Sequence, residues 1–179
     1  MEIKKTEFEG LIIIEPSVYK DERGSFFESY SIDLITKGVR KNFVQDNQSI
    51  SKKDVLRGLH FQSPPFAQAK LVRVTNGSVL DVALDIRKDS KTFGKAFSCV
   101  LSKENNKMIF IPEGFAHGFL SLEDDTVFLY KCSNLYYKAS ENGVLWNDPD
   151  LNIDWGIKNP IISEKDTLLK QLKQLEINF

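Results

Sequence analysis

A histidine within a short apolar stretch is the first residue of this sequence that could do chemistry. His60 belongs to RGLHFQ, residues 57–62, and is one of two histidines among 179 residues. Imidazole gains and loses a proton near neutral pH, so a histidine that faces a cavity can act as an acid or a base. The alternation of the stretch predicts a strand with two different faces: Arg57, Leu59 and Phe61 on one, and Gly58, His60 and Gln62 on the other.

Several other polar residues lie in apolar or turn-rich stretches, and each also has an ordinary structural interpretation. His60 itself would more often be a hydrogen-bonded core or edge histidine, and His117, in PEGFAHGF, fits a surface loop. Lys70, in QAKLVRV, suits an exposed strand edge, whereas Tyr130, in VFLYKCS, suits an aromatic core. Individually, none of these residues identifies a site.

The histidine count argues against metal catalysis. A catalytic metal usually needs several imidazoles or carboxylates that converge, often from a His-x-His pair on one strand. His60 and His117 are the whole histidine supply, and neither has a second histidine two or four residues away. The sequence therefore predicts an activity that uses neither a metal nor another cofactor.

The composition predicts a single domain, residues 1–179, that stays in the cytoplasm. A chain of this length buries about 70% of its unfolded surface and needs no disulfide or metal to fold. Its formal net charge of −1 argues against a nucleic-acid-binding protein but leaves room for a small anionic ligand. No apolar run approaches the ~20 residues of a membrane span. The first ten residues are charged and do not form an apolar signal segment, so the protein is expected to stay in the reducing cytoplasm. Cys99 and Cys132 are therefore expected to stay reduced.

Short alternating segments separated by turn residues predict many β-strands. The strongest hairpin signal is Asn76-Gly77, which joins two alternating runs in KLVRVTNGSVLDVALDI, and EDD at 123–125 predicts a second hairpin. Segments 96–102 and 107–112 are expected to continue a meander. Further strands are predicted at 11–16, 25–30, 43–50 and 55–62, with a charged turn at 20–24.

Two segments have a helical pattern. SIDLITKG, residues 31–38, predicts a short helix that ends at Gly38. Residues 163–177 place leucines in a helical stripe, and Asp166 completes a capping-box pattern that begins at Ser163. The whole pattern predicts an antiparallel β-barrel or double-sheet jelly roll with a terminal helix packed against it.

The segments also resemble one family, in order, from about residue 20 to 166. They are DERGSFFESY, QDNQS, LRGLHFQ, KLVRVTNGSVLDVALDIRKDSKTFG, IPEGFAHGFL, FLYKCSN, LWNDPDLNIDW and SEKD. In these segments the chain is similar to the dTDP-4-dehydrorhamnose 3,5-epimerases. The resemblance implies an all-β, cupin-type jelly roll that forms a homodimer without a metal. It also implies inversion of the carbons beside the C4 ketone of a dTDP-linked 4-keto-6-deoxyhexose, on the way to dTDP-L-rhamnose or a related sugar.

The resemblance further implies which residues are catalytic. His60 would be the base that removes the proton next to the ketone, and Asp166 would orient its imidazole and stabilise the cation that forms. Lys70 would stabilise the enolate oxygen. Tyr130 would return a proton on the opposite face of the sugar ring.

Substrate-binding residues follow from the same resemblance. Arg57, together with Arg23 from a partner subunit, would meet the pyrophosphate, for which a guanidinium offers paired donors. No role is implied for Gln62. The other implied contacts are Gln45 and Asn47 with the nucleotide, and Phe26, Glu28, His117, Glu141 and Lys165 with other parts of the substrate.

One position departs from the family pattern. Two residues beyond Ser133, where the family has an aromatic residue near the sugar and the base, this chain has Leu135, followed by Tyr136 and Tyr137. Besides inversion at C3 and C5, three alternatives stay open. They are an epimerase that inverts C3 alone, an epimerase of another nucleotide-linked 4-keto sugar, and a non-catalytic cupin that only binds a sugar nucleotide.

Overall fold

The computed structural model describes residues 1–34, 38–39 and 41–179. Residues 35–37, in the middle of the helix predicted at 31–38, lie outside the described residues. Strands dominate the described chain, as the alternating segments predict. Their bounds are β1 (Glu2–Lys5), β2 (Ile12–Glu15), β3 (Tyr19–Asp21), β4 (Gly24–Phe26), β5 (Gln45–Ser51), β6 (Leu56–Gln62), β7 (Lys70–Asn76), β8 (Ser78–Asp85), β9 (Ala96–Ser102), β10 (Met108–Ile111), β11 (Phe115–Ser121), β12 (Thr126–Cys132) and β13 (Glu141–Gly143).

Two antiparallel sheets form the body of the fold. One sheet has the order β1-β2-β10-β7-β12-β5, the other has the order β13-β6-β11-β8-β9, and β3 and β4 form a separate two-stranded ribbon. Apolar side chains from both sheets meet in a common core, among them Val72 and Phe128 from the first sheet and Val79, Leu101 and Phe119 from the second. The predicted all-β antiparallel jelly roll is confirmed.

Both predicted hairpins are wrong, because the chain changes sheets at each of these turns. β7 pairs with β10 and β12, whereas β8 pairs with β9 and β11, so Asn76-Gly77 carries the chain from one sheet to the other. Gly77 has φ +71°, and a Cβ at this position would run into Thr126. The EDD turn likewise links β11 to β12 in the opposite sheet, and the predicted meander breaks between β9 and β10.

The predicted strand at 25–30 is also shorter than expected. β4 ends at Phe26 and pairs only with β3, around the charged turn predicted at 20–24. Every residue of β3 and β4 is exposed. The ribbon therefore extends from the sheets without burying either of its faces within this chain.

The C-terminal helix begins where the sequence predicts but is only one turn long. This helix, α1, covers Glu164–Thr167, and the tail continues into a 3₁₀ turn at Leu172–Gln174. Leu168 is 76% exposed, so the leucine stripe is not the buried face of one continuous helix. Instead the tail packs Leu172 and Ile177 into an apolar cluster with Trp155, outside the five-stranded sheet. Within the described part of the chain, none of the helices has the length and apolar character needed to cross a bilayer.

A bulge in β6 changes the predicted faces of RGLHFQ. His60 pairs with His117, but Arg57 pairs with Phe119, so three residue steps on β6 oppose two on β11. The extra residue reverses the alternation, because side chains in a strand alternate with a period of two. Gly58 permits this arrangement with φ +128° and with Gly118 too close for a side chain on either residue. As a result, Arg57 shares a cavity with His60 rather than facing away from it.

Candidate active site

A cavity of about 610 Å³ lies between the two sheets. The six-stranded sheet contributes side chains from β5, β7 and β12, and the five-stranded sheet contributes side chains from β6 and β11. The segment that leads into α1 closes one side. All four residues expected to be catalytic line this cavity: His60, Lys70, Tyr130 and Asp166.

His60 and Asp166 form a close pair. Nε2 of His60 lies 2.6 Å from Oδ1 of Asp166, whose side chain is almost fully buried. Burial alone would raise the pKa of Asp166. The hydrogen bond with His60 and the attraction of the positive charge on His60 outweigh that effect, so the pKa of Asp166 is lowered. The backbone N–H of Asp166 donates to Oγ of Ser163 at 3.2 Å, so Ser163 caps α1 while the Asp166 carboxylate turns to the imidazole. The backbone of Asp166 therefore takes part in the helix cap, while its side chain pairs with His60.

Lys70 is enclosed rather than exposed. It begins β7, which lies between β10 and β12 inside the six-stranded sheet, so the interpretation as an edge lysine is wrong. Burial lowers the pKa of Lys70, and the negative charges of Asp81 and Glu141 only partly oppose that shift. An ammonium withdrawn from water interacts strongly with any anion that develops in the cavity.

Tyr130 reaches the cavity from β12 in the six-stranded sheet, whereas His60 reaches it from β6 in the five-stranded sheet. The tyrosine ring packs against the core next to Phe128, with ring centroids 6.1 Å apart, so the core interpretation is also correct. Burial raises the pKa of Tyr130, which keeps its hydroxyl protonated. The cavity therefore has a histidine on one wall and a protonated phenol on the other.

His117 is part of a second histidine–carboxylate pair, whose carboxylate sequence reasoning missed. The surface-loop interpretation of His117 is wrong, because the residue is buried on β11. Nε2 of His117 lies 2.9 Å from Oδ2 of the fully buried Asp81 on β8. Burial lowers the pKa of His117, and the Asp81 carboxylate opposes that shift. An acidic residue within the apolar run VLDVALD was the available signal, since buried carboxylates are rarely found without a partner.

Arg57 is held by Ser51, a residue that sequence reasoning also missed. Its Nε donates to Oγ of the buried Ser51 at 3.2 Å. Ser49, two residues earlier on β5, also lines the cavity, and its buried Oγ has no hydrogen-bond partner among the described residues. The Ser49 hydroxyl and the Arg57 guanidinium make this side of the cavity suitable for oxygen-rich groups.

The mouth of the cavity holds most of the other predicted binding residues. Asn47 and Lys165 line the cavity itself. Gln45 donates from Nε2 to Oδ1 of Asn47 at 3.0 Å, and Nζ of Lys165 lies 2.6 Å from a carboxylate oxygen of Glu141. Burial would raise the pKa of Glu141, but its hydrogen bonds with Lys165 and Tyr136 lower it. The mouth is therefore the edge of the cavity that Asn47 and Lys165 line, with Gln45 and Glu141 bonded to them.

Three predicted residues are not brought to the cavity of this chain. Arg23 and Phe26 lie on or beside the exposed ribbon, and Glu28 follows it on the surface. The guanidinium of Arg23 pairs with Asp21 inside the ribbon and is 90% exposed, while Phe26 is 72% exposed. None of these three residues is among those that line the cavity.

The described residues form no cluster of metal-ligating side chains. Across 1–34, 38–39 and 41–179, no three histidine, cysteine, aspartate or glutamate side chains converge in a way that could hold a metal ion. The two carboxylates nearest the cavity histidines are each engaged by an imidazole, Asp166 by His60 and Asp81 by His117.

Comparison with known proteins places this architecture in one family. The family model described as dTDP-4-dehydrorhamnose 3,5-epimerase matches residues 5–174. A dTDP-4-dehydrorhamnose 3,5-epimerase of Shigella flexneri is 51% identical over 168 residues, which cover 93% of both chains.

Solved structures agree with the sequence matches. A dTDP-4-dehydrorhamnose 3,5-epimerase from Elizabethkingia anophelis is similar with a TM-score of 0.93 and 47% identity over 97% of both chains. A dTDP-6-deoxy-D-glucose-3,5-epimerase from Legionella pneumophila, in complex with dTDP-4-keto-L-rhamnose, also has a TM-score of 0.93. It is 45% identical, over 98% of this chain and 94% of that one. This chain therefore belongs to the dTDP-4-dehydrorhamnose 3,5-epimerase family.

Proposed function

We propose that this protein inverts C3 and C5 of dTDP-4-dehydro-6-deoxy-D-glucose to give dTDP-4-dehydro-L-rhamnose. One observation carries the proposal: His60 and Tyr130 enter a single cavity from opposite sheets. Inversion of a carbon requires a proton to leave one face of the sugar ring and another proton to arrive on the other face. Two groups on opposite walls meet this requirement, whereas a single residue does not.

His60 is the base in this proposal. It removes the proton from the carbon beside the C4 ketone, and the electron pair of that C–H bond moves into an enolate. Asp166, 2.6 Å from Nε2, holds the ring in one orientation and stabilises the imidazolium that forms. The lowered pKa of Asp166 supports this role, because the carboxylate stays ionised through the neutral range.

Lys70 and Tyr130 complete the proton transfer. Lys70 stabilises the negative charge that develops on the C4 oxygen, where a desolvated ammonium is most effective. Tyr130 returns a proton to the carbon from the opposite face, and its raised pKa keeps that proton available. Collapse of the enolate restores the ketone with the configuration of the carbon inverted.

Binding residues surround this centre. Arg57, oriented by Ser51, meets the pyrophosphate, and guanidinium nitrogens offer paired donors to its oxygens. The remaining contacts lie in the cavity or at its mouth. They are Gln45 and Asn47 for the nucleotide, and His117, Glu141 and Lys165 for the rest of the substrate.

The proposal includes a homodimer that acts in the cytoplasm. Arg23, Phe26 and Glu28 lie on or next to a ribbon whose faces are exposed, away from the cavity of their own chain. In a dimer, the ribbon of one subunit would reach the cavity of its partner, so that Arg23 joins Arg57 at the pyrophosphate. Burial of Tyr19 and Phe26, two of the large exposed apolar side chains, would favour that assembly.

A proton-exchange experiment tests the proposal directly. The enzyme is incubated with dTDP-4-dehydro-6-deoxy-D-glucose in deuterated water containing a chelator, and the product is examined by NMR. Deuterium at C3 and C5 with the L-lyxo configuration is the expected result. Deuterium at C3 alone would make the protein a single-centre epimerase, as the Leu135 substitution allows. No exchange, with the sugar nucleotide still bound, would make it a non-catalytic cupin.

A further inference from the structure

Gln62 is a buried amide that has no part in the chemistry described above. It lies on β6, two residues beyond His60, and is 4% exposed. Nε2 donates to the backbone oxygen of Phe66 at 2.7 Å and to that of Leu135 at 3.2 Å, and Oε1 accepts from the backbone N–H of Tyr137 at 2.7 Å. The amide is therefore fully used in holding two loops, since buried polar groups require partners.

A second glutamine holds the adjacent backbone N–H of the same loop. Oε1 of Gln45, on β5, accepts from the backbone N–H of Tyr136 at 3.0 Å. Gln62 takes the next N–H, that of Tyr137. β5 and β6 belong to different sheets, so the loop 135–137 is attached to both sheets.

The same loop reaches the mouth of the cavity. The hydroxyl of Tyr136 donates to a carboxylate oxygen of Glu141 at 2.8 Å, and Glu141 pairs with Lys165, which lines the cavity. The ring of Tyr137 stacks on Phe66 with centroids 4.1 Å apart. Displacing the loop would therefore disturb the mouth and leave the pair of His60 with Asp166 in place.

We propose that Gln62 is a positioning residue that holds the loop 135–137 ready to receive the nucleotide half of the substrate. The inference rests on the proposed function. A loop ordered before binding does not lose its freedom during binding, so its anchor strengthens substrate affinity. Because Gln62 acts through Tyr136 and its neighbours, its loss changes KM and leaves the proton-transfer step alone.

The first test replaces the amide with an apolar group of similar length. Gln62→Met removes the hydrogen bonds to the loop, and we expect KM for the dTDP-sugar to rise about tenfold while kcat stays within about twofold. The Kd for dTDP alone, measured by calorimetry, should rise by a similar factor. Gln174→Met is the matched control, because Oε1 of Gln174 also accepts a backbone N–H, from Gln171, but far from the cavity. Its KM should match that of the wild type.

The second test makes the anchor depend on pH. Gln62→Glu has the shape of the amide when protonated, but when ionised it directs negative charge at the carbonyl oxygens of Phe66 and Leu135. Burial raises the pKa of such a carboxyl, so KM of this variant, relative to wild type, should rise between about pH 5 and 8. This variant also keeps the test usable if Gln62→Met fails to fold.

A double variant shows whether Gln62 acts through the loop. If it does, Gln62→Met combined with Tyr136→Ala should have the KM of Tyr136→Ala alone within about twofold, because coupled residues are not additive. Additive effects, or an unchanged KM in folded Gln62→Met, would overturn the inference while the wild type still epimerises its substrate. A wild type that binds dTDP without epimerising would instead contradict the proposed function, and the dTDP affinities would still test Gln62.

Discussion

His60 and His117 are direct partners in the antiparallel pairing of β6 with β11, yet each histidine bonds a different carboxylate. The side chain of His60 is 30% exposed and pairs with Asp166 from α1, whereas that of His117 is 6% exposed and pairs with Asp81 from β8. Proton transfer needs access to the substrate, so the more accessible pair suits the base. The enclosed pair suits a fixed binding group.

Removal of the base should stop exchange without unfolding the protein. His60→Asn is expected to lower the rate of deuterium incorporation by about 10²–10⁴-fold, because that is the usual contribution of a general base. Affinity for dTDP should persist, since Arg57 and Asn47 remain. Deuterium exchange at the wild-type rate in this variant would assign the base to another residue.

Replacement of Asp166, the partner of His60, separates catalysis from helix capping. Asp166→Asn should lower kcat roughly 10²-fold, because the imidazolium loses its anionic partner. Ser163→Ala is the control: it removes the cap and should cost about 1 kcal/mol of stability with a much smaller effect on kcat. If Asp166→Asn instead lowers stability and leaves kcat intact, the Asp166 carboxylate has only a structural role.

Acid should reduce the contribution of the His60–Asp166 pair to the free energy of unfolding. The folded-state pKa of Asp166 is lower than its ordinary value of 3.8, so its contribution to the free energy of unfolding is present above that pH. The contribution is lost as the pH falls through the lowered value. Chemical denaturation between neutral pH and acid should therefore show a smaller loss in Asp166→Asn than in the wild type.

Lys70 is expected to lower the stability of the protein while it raises kcat. Lys70→Met removes a desolvated ammonium but keeps its volume, so the melting temperature should rise while kcat falls about 10²–10³-fold. Burial makes the folded-state pKa of Lys70 lower than its ordinary 10.5, so the wild type gains stability as pH rises toward that value. The difference between variant and wild type should consequently be largest at neutral pH and shrink in alkali. The exposed Lys95→Met is the control, and an equal melting temperature for both variants would contradict the argument.

Asp81 should affect the KM of the protein through its hydrogen bond with His117. Asp81→Asn deprives the imidazole of its anionic acceptor, and we expect KM to rise roughly tenfold with a clear loss of stability, because one member of a buried pair is left unpaired. Asp46→Asn is the matched control, since Asp46 pairs with Lys131 on the surface and its loss should cost under about 1 kcal/mol. An unchanged KM in Asp81→Asn would limit the pair to a structural role.

Mixing two inactive variants tests whether Arg23 acts across a dimer. Arg23→Ala and His60→Asn subunits, unfolded and refolded together, form some mixed dimers in which one cavity has both intact residues. Activity should recover to roughly a quarter of the wild-type value, because about half of the dimers are mixed and each has one intact site. Light scattering should give the mass of a dimer. If both variants are inactive alone and the mixture stays inactive although dimers form, Arg23 serves the cavity of its own chain.

Local sequence patterns predicted the bounds of the strands well and the pairing between strands poorly. The bounds of β6, β7 and β8 follow from alternation, because the period of side chains along a strand is a local property. Whether β7 pairs with β8 is decided by the packing of two sheets, so the Asn76-Gly77 turn joins the sheets instead of closing a hairpin. For the same reason, the leucines after Asp166 form no long helix: the tail packs Leu172 against the five-stranded sheet, whereas Leu168 stays exposed.

The family and the jelly-roll class were predictable from the amino-acid sequence, which also offered four candidates for proton transfer. Residue types and their order along the chain are enough for that. Which side chains meet depends instead on how the two sheets pack. Pairs such as His117 with Asp81 and Gln62 with Tyr137 join residues far apart in the chain. The bulge that turns Arg57 toward His60 depends on the register of a neighbouring strand. Such contacts are set by the packing of whole sheets, and no local pattern in the sequence records them.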